Sequence, residues 1–189
     1  MGKGRLEAFS DGVIAIIITI IVLEIKVPHG ADLAALRPLA PVLFVYALTF
    51  ANVTIFWNNH HHMLHASSRV NGAVLWTNSF LLFWLSLMPL SIRWMDESHF
   101  AALPVASYGF ILLGAALGYS LLERMLVRCD PTSRLAQAVG SRWKETASTV
   151  IYTASIPLAF VHVGIAIALY VASAVIWFLP DRRIERLGS

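Results

Sequence analysis

The side chains able to do chemistry in this sequence are few, and most of them sit inside long apolar runs. The first run opens with Arg5, Glu7, Ser10 and Asp11. A second carries Asn52, Trp57, Asn58, Asn59 and the triplet His60, His61 and His62 toward its end, and a third begins with Asn71, Trp76 and Asn78. Polar groups in hydrocarbon are costly, so each is a functional candidate. Three chemistries suit these residue types. One is a hydrogen-bond network in which Asp11 accepts from the Trp57 indole, a histidine ring or an asparagine amide, fixing how three helices pack. The second is a histidine proton relay or pH sensor. The third is a metal site, because His61 and His65 are four apart and share a helix face. The metal reading lacks a glutamate between the two histidines and a nearby cysteine or acidic third ligand. A haem pair from the same histidines has no more support. The only cysteine, Cys129, excludes an internal disulfide and a cysteine-based metal centre.

After Asp11 the first run has no ionisable group until Glu24. Ile16, Ile20 and Leu23 are spaced four and three apart and fall on one helix face, with Thr19 one turn from both Ile16 and Leu23. Such a stripe is ordinary for a helix facing lipid or protein. It also suits a pore whose branched apolar rings gate by dewetting beside a ring of hydroxyls. Periodicity leaves both readings open. A membrane enzyme is disfavoured: His60 to His62 could supply a base, but Ser10 lies within a helical run and no Gly-x-Ser-x-Gly turn exists.

The elements that position these groups follow from composition. The chain has 189 residues, 58% of them hydrophobic and 13% charged, with a mean hydropathy of +0.70. Soluble domains carry about 25% charged residues, so the balance points to a membrane. Six stretches meet the need for about 20 mostly apolar residues per span: 7–25, 41–64, 70–95, 101–125, 146–161 and 163–179. The last two meet at His162, where Pro157 and Gly164 favour a break. Lys3 and Arg5 before the first run resemble the start of a signal peptide, but Glu24 and Lys26 follow with no small-x-small cleavage site, so it reads as a retained helix. Leu6 stands where an N-myristoylation motif needs Ser or Thr.

Six alternating spans put Lys3, Arg5, Arg69, Arg124, Arg128, Arg134, Arg142, Lys144, Arg182, Arg183 and Arg186 on one side, against Lys26, Arg37 and Arg93 on the other. Five spans would move the last three arginines across and erode that asymmetry. The positive-inside rule therefore favours six spans with both termini and a 127–145 loop in the cytoplasm. The basic residues form no continuous patch, so membrane topology explains the pI near 9.3 better than nucleic acid does. Trp94, Trp143, Trp177 and Phe178 lie near span ends, as interfacial aromatics do. Gly114 and Gly118 form a GxxxG pair, which allows close helix approach.

The segment RLEAFSDGVIAIIITIIVLEIKVP, residues 5–28, resembles the first helix of the transmembrane-175 family of endolysosomal and prokaryotic potassium channels. The resemblance rests on a basic residue, Arg5, three intervening residues, then Phe9-Ser10-Asp11. Trp57 and His61 late in span two, and Asn78 in span three, fit the same pattern, whereas spans four to six match in hydropathy alone. The resemblance implies an all-α integral membrane protein, one six-span channel domain over 1–189, assembled as a homotetramer in a prokaryotic plasma membrane. The first helix of each copy would line a central pore with no TVGYG filter. Ile16 would form the narrowest ring, Ile20 and Leu23 further apolar rings, and Thr19 the hydroxyl layer favouring potassium. Ser10, Asp11, Trp57, His61 and Asn78 would brace the helix, and Arg5 would pair with an acidic group or the cytoplasmic end of that network. Gly12, after the aspartate, departs from a bulkier residue and would make the helix start more pliable. The implied partners are other copies of the chain and membrane lipid, with potassium as permeant ion and no cofactor, metal or nucleic acid.

A secondary transporter of cations or protons is the rival to a passive channel. It would bind its substrate near the midplane through broken helices and charged groups. Pro89 and Pro157 are the strongest breakers, and no carboxylate sits mid-membrane. The topology is directly testable. Cys129 in intact cells should resist membrane-impermeant thiol reagents, while a cysteine introduced by Ala34→Cys should react. Strong labelling of Cys129 in unbroken cells would invert the orientation.

Overall fold

The computed structural model describes residues 2–28, 30–138 and 142–178. They are helical throughout, apart from short connections. In chain order the helices are α1 (Lys3–Leu23), α2 (Ala40–His65), α3 (Gly72–Ser86), α4 (Met88–Glu97), α5 (Ala102–Cys129), α6 (Arg134–Ala138), α7 (Trp143–Val161) and α8 (Val163–Phe178). A 3-10 helix, Leu33–Leu39, leads into α2. Four helical stretches are long and apolar enough to cross a membrane: Lys3–Leu23, Leu33–His65, Gly72–Glu97 and Ala102–Cys129. At about 1.5 Å per residue, even the 21 residues of α1 reach roughly 31 Å, the thickness of a hydrocarbon core.

Side-chain contacts fix the helix directions. Asp11 meets Trp57 and Lys3 meets the His65 carbonyl, so α1 and α2 are antiparallel. Ser10 meets Asn78 and Lys26 meets Asp96, so α1 runs parallel to the α3–α4 pair. Gly114 and Gly118 lie on Trp84 and Leu81, antiparallel, and Arg142 meets Glu123 while Ser120 meets Glu145, also antiparallel. The α7–α8 pair folds back at His162, whose backbone is extended and whose ring accepts from Gly164 N–H. Tyr152 and Ser148 of α7 bond Ser173 and Trp177 of α8 across that hairpin. The junction expected at His162 is therefore a break between two helices. The result is an alternating bundle with α5 at its centre, its buried face running from Pro104 to Leu126.

Three features differ from the sequence expectation. The third apolar stretch is broken at Leu87 into α3 and α4. Pro89 has no N–H to donate and its ring collides with the carbonyl four residues earlier. The Ser86 and Ser91 hydroxyls turn back onto the Phe83 and Met88 carbonyls at 2.7 Å each, which satisfies backbone at the break. The 3-10 helix before α2 was not anticipated. Asp32 caps it by accepting from Ala35 N–H at 3.1 Å. The segment read as a 127–145 loop is partly helical: α5 continues to Cys129, α6 follows, and α7 starts at Trp143. Residues 139–141, residue 179 of the sixth expected span, and Arg182, Arg183 and Arg186 lie outside the described residues. Past α5, Asp130 accepts from the Ser68 and Thr132 hydroxyls, which hold its carboxyl below the usual range and tie this connection to the α2–α3 turn. Leu135 N–H donates to the Ala66 carbonyl at 3.2 Å in the same tie.

The glycine pair is spent inside the chain. A Cβ on Gly114 would lie 2.2–2.6 Å from ring atoms of Trp84, and one on Gly118 would lie 3.0 Å from the Leu81 Cα. Close approach of α3 to α5 depends on that missing atom. The Trp84 indole N–H is buried with no hydrogen-bond partner among the described residues. Gly114→Ala should therefore destabilise the protein by about 1–3 kcal/mol through overpacking. Thermal unfolding in detergent reads the loss, and Trp84→Leu in the same chain should recover most of it. An unshifted Gly114→Ala melting curve contradicts this contact.

Candidate functional site

The two faces of α1 are chemically unlike. Leu6, Ser10, Ile14, Ile17 and Ile21 are buried against the rest of the chain. Their spacing of three and four residues makes a single stripe. The opposite stripe is exposed: Arg5, Phe9, Gly12, Ile16, Thr19, Ile20 and Leu23. Ile16 is 59% exposed, Ile20 39% and Leu23 78%. From Gly12 to Leu23 this face has no charge.

Two adjacent residues hold α1 in that rotation. Ser10, fully buried, accepts from Asn78 Nδ2 of α3 at 2.9 Å, and its own hydroxyl donates to the Leu6 carbonyl at 2.9 Å. Asn78 Oδ1 meets His60 Nε2 of α2 at 2.7 Å. Ser10, Asn78 and His60 thus link three helices at one depth, all buried. One residue on, and about 100° around the helix, Asp11 Oδ1 accepts from the Trp57 indole at 2.9 Å. Lys3 reaches the His65 carbonyl at 3.2 Å and pairs with Glu7 at 3.7 Å.

Ser10, Asp11, Trp57 and Asn78 are brought together as two adjoining contacts. His61, expected among them, is exposed on the outer side of α2, its ring stacked on His65 with centroids 6.1 Å apart and tilted against Trp57 at 6.0 Å. His60 occupies the buried position instead, because it faces α3 when Trp57 faces Asp11. Arg5 is exposed and makes none of the ion pairs among the described residues; Lys3 takes Glu7. Phe9 is 53% exposed and lies on the free face, and a side chain at Gly12 would meet nothing within 4 Å. No group of three or more His, Cys, Asp or Glu able to hold a metal occurs among the described residues.

Thr19 has a further property that spacing alone could not reveal. Its hydroxyl donates to the Ile16 carbonyl at 2.9 Å. With the proton committed to the backbone, the oxygen lone pairs point away from the helix and are free to accept. The face thus offers two chemistries one turn apart: branched hydrocarbon at Ile16, Ile20 and Leu23, and an acceptor oxygen at Thr19.

A near-isosteric Asn78→Leu leaves the Ser10 hydroxyl and the His60 ring without their buried partner, at about 1–3 kcal/mol per group. Trp57→Phe should cost less, since Asp11 is only part-buried and keeps access to other donors. Thermal unfolding of both variants in detergent orders them. A Trp57→Phe loss exceeding that of Asn78→Leu would show that the Asp11 contact is the stronger anchor.

Residues 5–89 match the family described as endosomal/lysosomal potassium channel TMEM175. A potassium channel of Chryseobacterium sp. (strain P1-3) is 50% identical over 187 residues, covering 98% of this chain and 97% of its own length. A potassium channel of Streptomyces collinus (strain DSM 40733 / Tue 365) is 30% identical over 180 residues, covering 89% and 87%. The crystal structure of a lysosomal potassium-selective channel TMEM175 homolog from Chamaesiphon minutus shares the fold, with a TM-score of 0.77 at 24% identity, over 94% of this chain and 96% of that one.

Proposed function

This chain belongs to the TMEM175 family, and we propose that it is a potassium channel in which four copies surround a central pore lined by the free face of α1. The observation that carries the reading is the division of that helix. One stripe is locked to α2 and α3 by hydrogen bonds, and the other is exposed and uncharged from Gly12 to Leu23. In a lone subunit this stripe would meet lipid. Around a fourfold axis it makes stacked rings, with Ile16 the narrowest, Ile20 and Leu23 further along, and Thr19 between them.

The chemistry follows from what each ring gives an ion. Branched hydrocarbon strips water from a cation and returns no oxygen, so the isoleucine and leucine rings set the barrier. Four Thr19 oxygens, their protons held by the Ile16 carbonyls, offer replacement ligands beside the constriction. Potassium surrenders its hydration shell more readily than sodium, so such a layer favours it, weakly. Conduction is passive and needs no cofactor.

The rest of the subunit completes a six-span frame. α7 and α8, with 19 and 16 residues, add two crossings to the four stretches that qualify on length and hydropathy. Both termini then lie in the cytoplasm of a prokaryotic cell, and Trp76, Phe80, Phe83 and Phe110 face lipid. The transporter alternative draws some support from the broken third stretch. At that break the serine hydroxyls occupy the nearby carbonyls, and no carboxylate stands there to coordinate a coupling ion.

Ile16→Asn places amides in the constriction and should raise basal ion flux, because the ring then holds water. Thr19→Val preserves shape while deleting the hydroxyls, so it should lower potassium-over-sodium preference more than total conductance. Reversal potentials and leak in planar bilayers report both. If Ile16→Asn assembles correctly with unchanged leak, and Thr19→Val keeps its selectivity, α1 does not line the pore.

A further inference from the structure

The connection between α5 and α7 gathers arginines that the sequence keeps apart. Two contacts tie it to the α2–α3 turn: the Asp130 carboxylate accepts from the Ser68 hydroxyl, and Leu135 N–H donates to the Ala66 carbonyl. Three segments thereby bring basic residues to one rim. Arg69 follows Ser68, Arg128 stands two residues before Asp130, and Arg134 precedes Leu135. Arg124 lies one turn from Arg128 on the same side of α5. All four are exposed, and none makes an ion pair among the described residues. The neighbouring acids are turned inward. Asp130 and Glu123 are 7% and 6% exposed, the first taken by the Ser68 and Thr132 hydroxyls and the second by Arg142. Glu145, part-buried, faces the Ser120 hydroxyl. Arg69 adds to the field on Asp130 without pairing with it.

Two markers set the depth of that rim. α5 begins at Ala102 and meets its first charge at Glu123. The roughly 21 residues between them rise about 31 Å, the thickness of the hydrocarbon core. Arg124 and Arg128 therefore stand where α5 outruns the hydrocarbon and enters the headgroup layer. The second marker is the start of α7, brought to the same level by the Arg142–Glu123 pair. Trp143 there is 51% exposed, and the Lys144 ammonium lies over the Trp143 and Trp177 rings, 5.9 and 5.8 Å from their centroids. Exposed indoles of this kind sit at headgroup level.

We propose that Arg69, Arg124, Arg128 and Arg134 form a docking surface for anionic phospholipid headgroups, with Trp143 seated in the same layer beside them. All four positions are arginine, whose planar fork of donors matches phosphate oxygens. An anionic headgroup brings this rim the negative charge that its own buried acids do not present, whereas a zwitterionic one carries an ammonium that competes with the arginines. Bound lipid links the α5–α7 connection to the α2–α3 turn, a second tie beside Ser68 and Asp130. Lipid binding here needs α5 to cross the membrane and does not depend on α1 lining a pore.

Native mass spectrometry of the purified full chain, given equal amounts of phosphatidylglycerol and phosphatidylcholine with the same acyl chains, tests this. The parent protein should retain phosphatidylglycerol in preference. An arginine near a charged lipid surface is worth about fivefold in affinity, so Arg128→Gln should cut the preference by about that factor. Arg124→Gln, Arg128→Gln and Arg134→Gln combined should nearly abolish it. Arg37→Gln, which removes an exposed arginine of the 3-10 helix before α2, should leave it unchanged. Glycerol phosphate, which lacks acyl chains, should not displace the lipid. Equal retention of both lipids, a preference that survives the triple substitution, an equal loss in Arg37→Gln, or displacement by glycerol phosphate overturns the proposal. If the triple variant fails to fold, the single substitutions decide.

Discussion

The rotation of α1 about its own axis is set by two contacts made from adjacent residues. Ser10 is held by Asn78 of α3, and Asp11 by Trp57 of α2. Because consecutive helical residues point about 100° apart, two such anchors define a bearing that one could not. Hydrocarbon makes the anchors decisive, since a polar side chain turned away from its partner finds no water to replace it. Everything on the other side of α1 inherits its direction from this pair. Phe9, Gly12, Ile16, Thr19, Ile20 and Leu23 are exposed because Ser10, Ile14, Ile17 and Ile21 are not free to be.

The remaining helices hold the two anchor partners still. Asn78 and Trp84 lie on one short helix, α3, pressed against α5 where Gly114 and Gly118 remove the side chains that would keep them apart. His60 and Trp57 lie on α2, whose Thr49 and Asn52 reach the buried Tyr108 of α5 at 2.9 and 3.4 Å. α5 is braced from behind by α7 and α8 through Tyr170, whose hydroxyl donates to the Val105 carbonyl, and through the serine and tyrosine contacts of the hairpin. Hydrogen bonds of this kind contribute only about 1 kcal/mol each. Their value lies in choosing one packing among several of similar apolar contact.

Much of this was legible in residue type and depth. Ser10, Asp11, Trp57 and Asn78 stand out because polar groups in apolar runs need partners, and antiparallel spans put them at one level; the partner expected for Arg5 is not among the contacts of the described residues. The choice between His60 and His61 was not legible. The triplet spreads over about 200° of the helix surface, so its members face in different directions and only the packed helices say which one meets α3. The 3-10 helix had a signal in Asp32 before Ala35 and Pro38, and the α3–α4 break had one in Pro89. The Glu123–Arg142 ion pair had none, since its members become neighbours only after α5 and α7 fold back on each other.

On the channel reading, the decorated side of α1 is structural and its bare side is functional, so the two can be separated by where water reaches. Substituted-cysteine accessibility during potassium flux through liposomes, in a Cys129→Ser background, measures that directly. A pore along the free face predicts that a charged thiol reagent blocks flux irreversibly in Ile20→Cys and Leu23→Cys, and leaves Ile21→Cys, on the buried stripe, unaffected. Flux that persists unchanged after treatment of Ile20→Cys and Leu23→Cys contradicts it.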